Sequence, residues 1–122
     1  MRQDKPDQRF LKREHLRRPE EFQRVYDRKC TASDDWLVIY ACENGLPYLR
    51  IGLSVPKKRI PLAVDRNRLR RLYREAFRLC RAELPVGYDM VLIPRRTEEP
   101  TVENVKSSLK KLVRQVIKRL TP

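Results

Sequence analysis

The stretch from Asp65 to Arg81, which reads DRNRLRRLYREAFRLCR, places the strongest constraint on the fold. Its apolar residues recur at helical spacing, and a projection at 100° per residue gathers them within roughly 140° of the circumference. The opposite face carries arginines and one asparagine. The apolar stripe comprises Leu69, Leu72, Tyr73, Ala76, Phe77 and Cys80, and the polar face comprises Asn67, Arg70, Arg71, Arg74, Arg78 and Arg81. This helix is therefore expected to pack on one side and to expose a cationic surface on the other.

The charge of the whole chain indicates an anionic partner. The 122 residues carry a formal net charge of +13, and 37% of them are charged. Self-repulsion of this size opposes compaction, and the common reason to keep it is a polyanion, nucleic acid first and an acidic membrane surface second. A guanidinium bridges phosphates and stacks on bases, so the arginine face favours nucleic-acid contact over a merely solvated face.

The remaining periodicities predict a small α+β protein that forms one domain over residues 1–122, with a basic, loosely held arm at about 1–18. The pattern predicts helices at about 19–29, from about 64 to before Pro85, and from Pro100–Thr101 onward, with Thr101 as the cap. It predicts strands at about 36–42, 48–55 and 88–93, the first two paired as a hairpin, and a third strand of uncertain position around 55–64.

Other features of the sequence argue against several classes of protein. No apolar run is long enough for a membrane span, and the basic N-terminus has no apolar core of a signal peptide, so we expect a cytoplasmic protein without membrane contact. Cys30, Cys42 and Cys80 are odd in number and widely spaced, which favours buried reduced thiols. His15 is the only histidine and has no neighbouring cysteine, so neither a metal site nor nucleophilic catalysis is expected.

Four aromatic residues are candidates for stacking on unpaired bases. Phe22 and Tyr26 are one helical turn apart, and Trp36 and Tyr40 lie on a strand at even spacing, so they are expected to share a face. Rings beside basic residues are typical of single-stranded RNA recognition. Each ring alone is more often a core residue, and both interpretations stay open at this point.

The start of the arginine helix is a candidate phosphate-binding corner. Arg66, Asn67 and Arg68 lie in its first turn, where backbone N–H groups are free. A simple capping segment led by Asp65 is the alternative, and the two interpretations are compatible. The cluster of Lys57, Lys58 and Arg59 precedes this corner.

These motifs resemble the bacterial ribonuclease P protein component over about residues 10–119. The resemblance is carried by Ile51-Gly-Leu-Ser-Val55, the Lys/Arg cluster, and the run from Ala63 through Arg66-Asn67-Arg68 to Phe77. Phe22-Gln-Arg-Val-Tyr26 resembles the family's first helix, and Asp89 to Arg95 its last strand. Pro61-Leu62 stands where the family usually has Gly-Asn.

The resemblance implies a two-layer α-β sandwich of order α-β-β-β-α-β-α with a left-handed β-α-β crossover, the ribosomal protein S5 domain 2-like fold. By motif position, Lys58, Arg66, Asn67, Arg68, Arg71 and Arg74 are expected to contact the catalytic RNA, and their basic neighbours add Lys57, Arg59 and Arg70. Phe22, Tyr26 and Tyr40 match the family's cleft for the leader, to which strand spacing adds Trp36.

The implied function is that of an accessory protein subunit, one per RNA, of an endoribonuclease. The enzyme removes the 5′ leader of precursor tRNA, leaving a 5′-phosphate, and the protein broadens its substrate range. Catalysis is expected in the RNA subunit, with Mg²⁺ held mainly by RNA and substrate and no catalytic or metal-binding residue in the protein. The alternatives are a structural RNA-binding protein of ribosomal type and a stand-alone metal-dependent nuclease.

Overall fold

The computed structural model describes residues 12–95 and 100–121. Within these residues, three α-helices and a four-stranded sheet follow the order α-β-β-β-α-β-α, as the resemblance implies. The elements are α1 (Pro19–Asp27), β1 (Thr31–Ser33), β2 (Leu37–Glu43), β3 (Arg50–Leu53), α2 (Ala63–Cys80), β4 (Tyr88–Pro94) and α3 (Val102–Leu120). Short 3₁₀ turns at Lys12–Glu14 and Arg81–Glu83 precede α1 and follow α2.

The strands pair in the order β1-β2-β4-β3, so the predicted hairpin between β2 and β3 is wrong. β4 lies between these strands, antiparallel to β2 and parallel to β3. The backbone explains this arrangement, because the N–H of Asn44 donates to the carbonyl of Gly87 and the N–H of Gly87 donates to that of Tyr48. The β2–β3 connection therefore bonds to the start of β4 instead of closing a tight turn.

The extra strand lies at β1 and not in the segment 55–64. β1 pairs antiparallel with β2 through Ala32 and Ile39. Residues 54–62 form no strand, since the carbonyl of Pro56 accepts the N–H groups of Arg59 and Ile60 and closes a turn. This turn leads into α2, which connects the parallel strands β3 and β4. The left-handed sense of that crossover stays a prediction.

The two faces of the sheet carry different helices. α2 and α3 cover one face, where the large apolar cluster includes Ile39, Phe77, Met90 and Leu109. The predicted apolar stripe of α2 packs here together with apolar residues of α3, and Thr101 caps α3 by accepting the N–H of Asn104. α1 covers part of the other face and builds the smaller cluster of Leu16, Val25, Cys42 and Val91. All three cysteines are buried, as predicted.

Part of the segment expected to be a loose arm is held against the sheet. The N–H of Leu16 donates to the carbonyl of Ile51, and the carboxylate of Glu14 pairs with Arg81 at 2.5 Å. Glu14 and Leu16 are both buried. Residues 1–11 of the predicted arm lie outside the described residues. Among the helices of the described ranges, none combines the length and the apolar character needed to cross a membrane.

Candidate nucleic-acid interface

An aromatic cleft lies between α1 and the exposed part of the sheet. Val25 of α1 is fully buried against the sheet, and Phe22 and Tyr26 flank it on the same helix. The Tyr26 ring meets the Tyr40 ring of β2 edge to face, with 5.2 Å between ring centroids and an interplanar angle of 87°. All three candidate rings remain partly exposed. Helical spacing and strand alternation therefore bring Phe22, Tyr26 and Tyr40 to one site.

Trp36 does not share this site, so the expectation that it lies on the face of Tyr40 is wrong. Its ring packs against the large apolar cluster beneath α2 and α3. Trp36 precedes β2, in a turn where the backbone N–H groups of Trp36 and Leu37 both donate to Oδ1 of Asp34, at 2.8 and 3.1 Å. This Asx-type turn interrupts the strand alternation on which the expectation depended.

Gly52 sets how closely α1 approaches the sheet. A Cβ at this position would lie 2.4 Å from the ring of Phe22 and 3.0 Å from Cβ of Leu16. A side chain on β3 would therefore push the Phe22 ring away. Gly52 was not singled out from the sequence, although a glycine within an alternating strand is a recognised sign of close approach.

A buried carboxylate fixes α1 to the sheet. Asp89 of β4 is fully buried, and its carboxylate accepts hydrogen bonds from Arg24 of α1, from Nε and Nη2 of Arg50 at 2.8 and 2.6 Å, and from Asn44. Arg50 also pairs with Glu21 of α1 at 3.1 Å. We call Arg24, Arg50 and Asp89 the α1 clamp.

Hydrogen bonds favour the charged forms of Arg50 in the clamp and of the neighbouring Glu21. Hydrogen bonding to the Asp89 carboxylate raises the pKa of Arg50. The backbone N–H groups of Arg18 and Arg17 donate to Glu21 and lower its pKa. The clamp escaped sequence reasoning because its members lie on three elements far apart in the chain.

The arginines of α2 occupy two flanks of the helix. Arg70 and Arg74 extend toward the cleft and line a pocket of about 90 Å³ together with His15, Phe22 and Gly52. Arg68 and Arg71 lie on the other flank, beside Val102 at the start of α3. One cationic flank is thus continuous with the aromatic cleft. His15, excluded above as a metal ligand, lies where the cleft meets α2.

Arg66 supports the loop that precedes α2. Its Nη1 donates to the carbonyls of Ile60 and Pro61, at 3.0 and 2.7 Å. Ile60 is fully buried and anchors the turn. The residue at the N-cap position, immediately before α2, is Leu62, which offers no side-chain cap. Arg66 therefore joins the divergent loop to the helix.

The other predicted RNA-contact residues are accessible. Lys57, Lys58 and Arg59 are exposed on the turn before α2, and Asn67, Arg68, Arg71 and Arg74 are exposed on the helix. Oδ1 of Asn67 accepts a hydrogen bond from Nη1 of Arg70 at 3.1 Å, and Asp65 approaches Arg68 at 4.0 Å. These contacts orient the cationic side chains.

The arrangement is suited to binding a polyanion with unpaired bases. Guanidinium and ammonium groups supply phosphate contacts, and the adjoining rings supply stacking surfaces. Among residues 12–95 and 100–121, no group of three or more histidine, cysteine, aspartate or glutamate side chains is placed to hold a metal ion. Burial raises the pKa of the Cys80 thiol to about 11 and also raises that of Cys42, so both thiols stay protonated at neutral pH.

Comparison with known proteins identifies the family. The model of the family Ribonuclease P matches residues 10–117. The ribonuclease P protein component of Caldanaerobacter subterraneus subsp. tengcongensis is 40% identical over 82% of this chain and 86% of its own length. That of Clostridioides difficile is 37% identical over 87% of this chain and 94% of its own length.

Solved structures agree in fold. The ribonuclease P protein from Thermotoga maritima superposes with a TM-score of 0.74 and 30% identity, covering 84% of this chain and 96% of that protein. The sequence matches and the structural match thus indicate the same family over most of the chain's length. The chain belongs to the family of bacterial ribonuclease P protein components.

Proposed function

We propose that this protein binds the catalytic RNA of ribonuclease P through α2 and its preceding turn, and receives the single-stranded 5′ leader of precursor tRNA in the aromatic cleft. It thereby assists removal of the leader and broadens the range of substrates. The hydrolysis itself is assigned to the RNA subunit. Mg²⁺ is assigned to RNA and substrate, and no step is assigned to a metal bound by this chain.

The observation that carries this proposal is the continuity of the cleft with the arginine helix. Phe22 lines the same pocket as Arg70 and Arg74. A strand that stacks on the rings of the cleft therefore leads its phosphates toward guanidinium groups on α2. The outer flank, with Arg68 and Arg71, is left for a second contact, which we assign to the catalytic RNA.

Anion binding on α2 would relieve repulsion between like charges in the free protein. Like charges crowd this helix, since Glu75 and Asp65 are its only acids and Glu75 already pairs with Arg78 at 2.7 Å. Phosphates close to Arg71 and Arg74 relieve that repulsion. We therefore expect RNA, and simple polyanions to a lesser degree, to raise the unfolding temperature of the protein.

The first experiment is reconstitution with the candidate catalytic RNA and a precursor tRNA at low Mg²⁺. A reducing buffer keeps the three cysteines as thiols. The proposal predicts that one protein per RNA increases 5′ cleavage at the mature end. No gain in cleavage contradicts it and favours a structural RNA-binding role of ribosomal type. Cleavage by the protein alone favours a stand-alone nuclease.

The second experiment separates contact from support on α2. Arg71→Ala removes an exposed side chain, and the dependence of log affinity on log salt concentration should lose about one unit of slope if a phosphate contact is lost. Arg66→Ala is expected to lower the slope by about one unit as well, and in addition to destabilise the free protein, because the carbonyls of Ile60 and Pro61 lose their donor. An unchanged slope in either variant places that arginine off the interface.

A further inference from the structure

The outer face of α3 is a second strongly cationic surface in the described chain. After Glu103, every charged side chain of this helix is basic. The set comprises Lys106, Lys110, Lys111, Arg114, Lys118 and Arg119. None of these residues belongs to the candidate interface of α2 and the cleft.

Internal partners neutralise only part of this surface. Lys106 pairs with Glu103, Lys110 with Glu83 at 3.0 Å, and Lys111 with Asp34 at 3.1 Å. The guanidinium of Arg119 donates to the carbonyl of Thr31.

Arg114 and Lys118 are exposed and form no ion pair with any residue in the described ranges. With Lys110, they form a row of like charges at i, i+4 and i+8, which spans about 12 Å of the helix axis. Like charges at this spacing repel one another, while the helix dipole favours Lys118, which lies in the last turn.

An open groove runs beside this row. Its floor is apolar, from Leu84, Pro85, Val113 and Ile117, and its volume is about 370 Å³. The cations of the row form one edge, and Glu83, which pairs with Lys110, also lines the groove. No aromatic ring lines the groove, so it lacks the platform on which bases stack in single-stranded RNA sites. The chemistry favours contact with a phosphate backbone over reading of bases.

The position of α3 separates this surface from the cleft. α3 packs on the sheet face that carries the large apolar cluster, together with α2. α1 and the cleft lie on the opposite face. A strand that fills the cleft therefore does not cover the outer face of α3, and a partner there is a different segment.

We propose that the outer face of α3, centred on Arg114 and Lys118, contacts the phosphate backbone of a second RNA segment. The inference rests on the proposed function, because the RNA bound through α2 and the cleft brings this segment to the protein. The protein then bridges two RNA segments on opposite sides of its sheet. The second segment belongs to the catalytic RNA, because α3 shares its side of the sheet with the flank of α2 that we assign to that RNA.

Directed cleavage of RNA from single positions tests the proposal. The natural cysteines are buried, so an introduced exposed cysteine can be labelled selectively with an iron chelate that generates hydroxyl radicals. Gln115→Cys reports on the α3 face, Gln23→Cys on α1 beside the cleft, and Glu75→Cys on α2. Each labelled protein is assembled with the catalytic RNA, with and without precursor tRNA.

We expect position 115 to cleave one discrete segment that neither position 23 nor position 75 cleaves. Cleavage of the catalytic RNA in the absence of precursor tRNA supports the inference, and cleavage confined to the precursor tRNA contradicts the assignment of this face to the catalytic RNA. Background cleavage from position 115, with strong cleavage from positions 23 and 75, overturns the inference and leaves the proposed function standing. Background cleavage from all three positions overturns both.

A charge variant provides an independent measurement. Arg114→Gln combined with Lys118→Gln should reduce the slope of log affinity against log salt by about two units. The matched control is Lys106→Gln on the same helix, whose ammonium is already paired and largely covered. A slope unchanged by the double substitution contradicts phosphate contact and leaves an acidic protein surface as the occupant. The unfolding temperature of the double variant should change little, because the loss of repulsion within the row opposes the loss of the helix-dipole interaction of Lys118.

Discussion

The two faces of the sheet differ in how completely helices cover them. The face under α2 and α3 is closed by a continuous apolar cluster with Phe77, Leu109 and Leu112 almost without solvent exposure. The face under α1 is only partly covered, and a buried ion cluster supplements its few apolar contacts. The difference indicates that the first face specifies the fold, while the second leaves its rings partly exposed, as the proposed leader site requires.

The largest effect is expected from opening the closed face. Phe77→Ala removes a fully buried ring from the large cluster and should lower the free energy of unfolding by about 4 kcal/mol. Urea unfolding followed by circular dichroism measures this loss. As a matched control, Tyr26→Ala on the open face should cost much less stability. Equal losses for the two variants would remove the distinction between the faces.

The next effect is expected at the α1 clamp. Asp89→Asn leaves Arg24 and Arg50 without their buried counter-charge, and we expect a loss of about 3 kcal/mol in the free energy of unfolding. Because α1 loses its attachment, the preference for substrates with long leaders should also decrease. Arg28→Gln is the control, since it breaks the exposed pair with Glu43 on the same side of the molecule. A leader preference retained in Asp89→Asn would show that the clamp does not position the cleft.

Stability should depend on pH through Asp34, in the turn between β1 and β2 that contacts α3. Burial would raise the pKa of Asp34, but hydrogen bonds from Ser108, from the N–H groups of Trp36 and Leu37, and from Lys111 outweigh it and lower the pKa below its usual value of 3.8. The folded state thus favours the carboxylate. Its contribution to stability is complete above the unfolded pKa and is lost as the pH falls through the lower, folded pKa.

Asp34→Asn should therefore flatten the stability profile below about pH 5 and cost about 2 kcal/mol at neutral pH. Unfolding measured by urea from pH 7 to pH 3 gives both quantities. Lys111→Gln is a useful second variant, since it removes one of the four donors and should reproduce only part of the change. An unaltered slope with pH in Asp34→Asn would contradict this account of how the β1–β2 turn is joined to α3.

The smallest change in stability is expected at Gly52, where binding should respond more than folding. Gly52→Ala pushes the Phe22 ring out of its place, at a cost of about 1 kcal/mol. Leader-dependent affinity should fall more than affinity for the catalytic RNA. Combining Gly52→Ala with Phe22→Ala should reduce the cost of the glycine substitution, because the clashing ring is absent. If the stability losses of the two substitutions simply add, the strain caused by Gly52→Ala does not come from contact with the Phe22 ring.

Features that depend on residues close together in the sequence were predictable. The apolar stripes of α2 and α3 and the cap at Thr101 follow from helical spacing and from side-chain hydrogen bonding, which act within a few residues. The three cleft rings on α1 and β2 followed from the same periodicities together with the family motif. These features needed no knowledge of how the elements pair.

Long-range pairing was not predictable in the same way. The insertion of β4 between β2 and β3 depends on contacts between segments about 40 residues apart, such as Arg50 with Asp89. Three-residue β1 is too short for a periodic pattern, and the turn at Asp34 turns Trp36 away from the cleft. Arg66 has the residue type of a phosphate contact, and only the structure shows that its guanidinium also holds the loop.

The most direct test of the central claim is a comparison of affinities across leader length. Holoenzyme containing the unmutated protein, Tyr26→Ala or Arg71→Ala is titrated with precursor tRNAs that carry long, short and no leaders. We predict that Tyr26→Ala abolishes the preference for long leaders while sparing affinity for the catalytic RNA, and that Arg71→Ala weakens the RNA affinity while keeping the preference. Equal affinity of the unmutated holoenzyme for long-leader and leaderless substrates would contradict the assignment of the cleft.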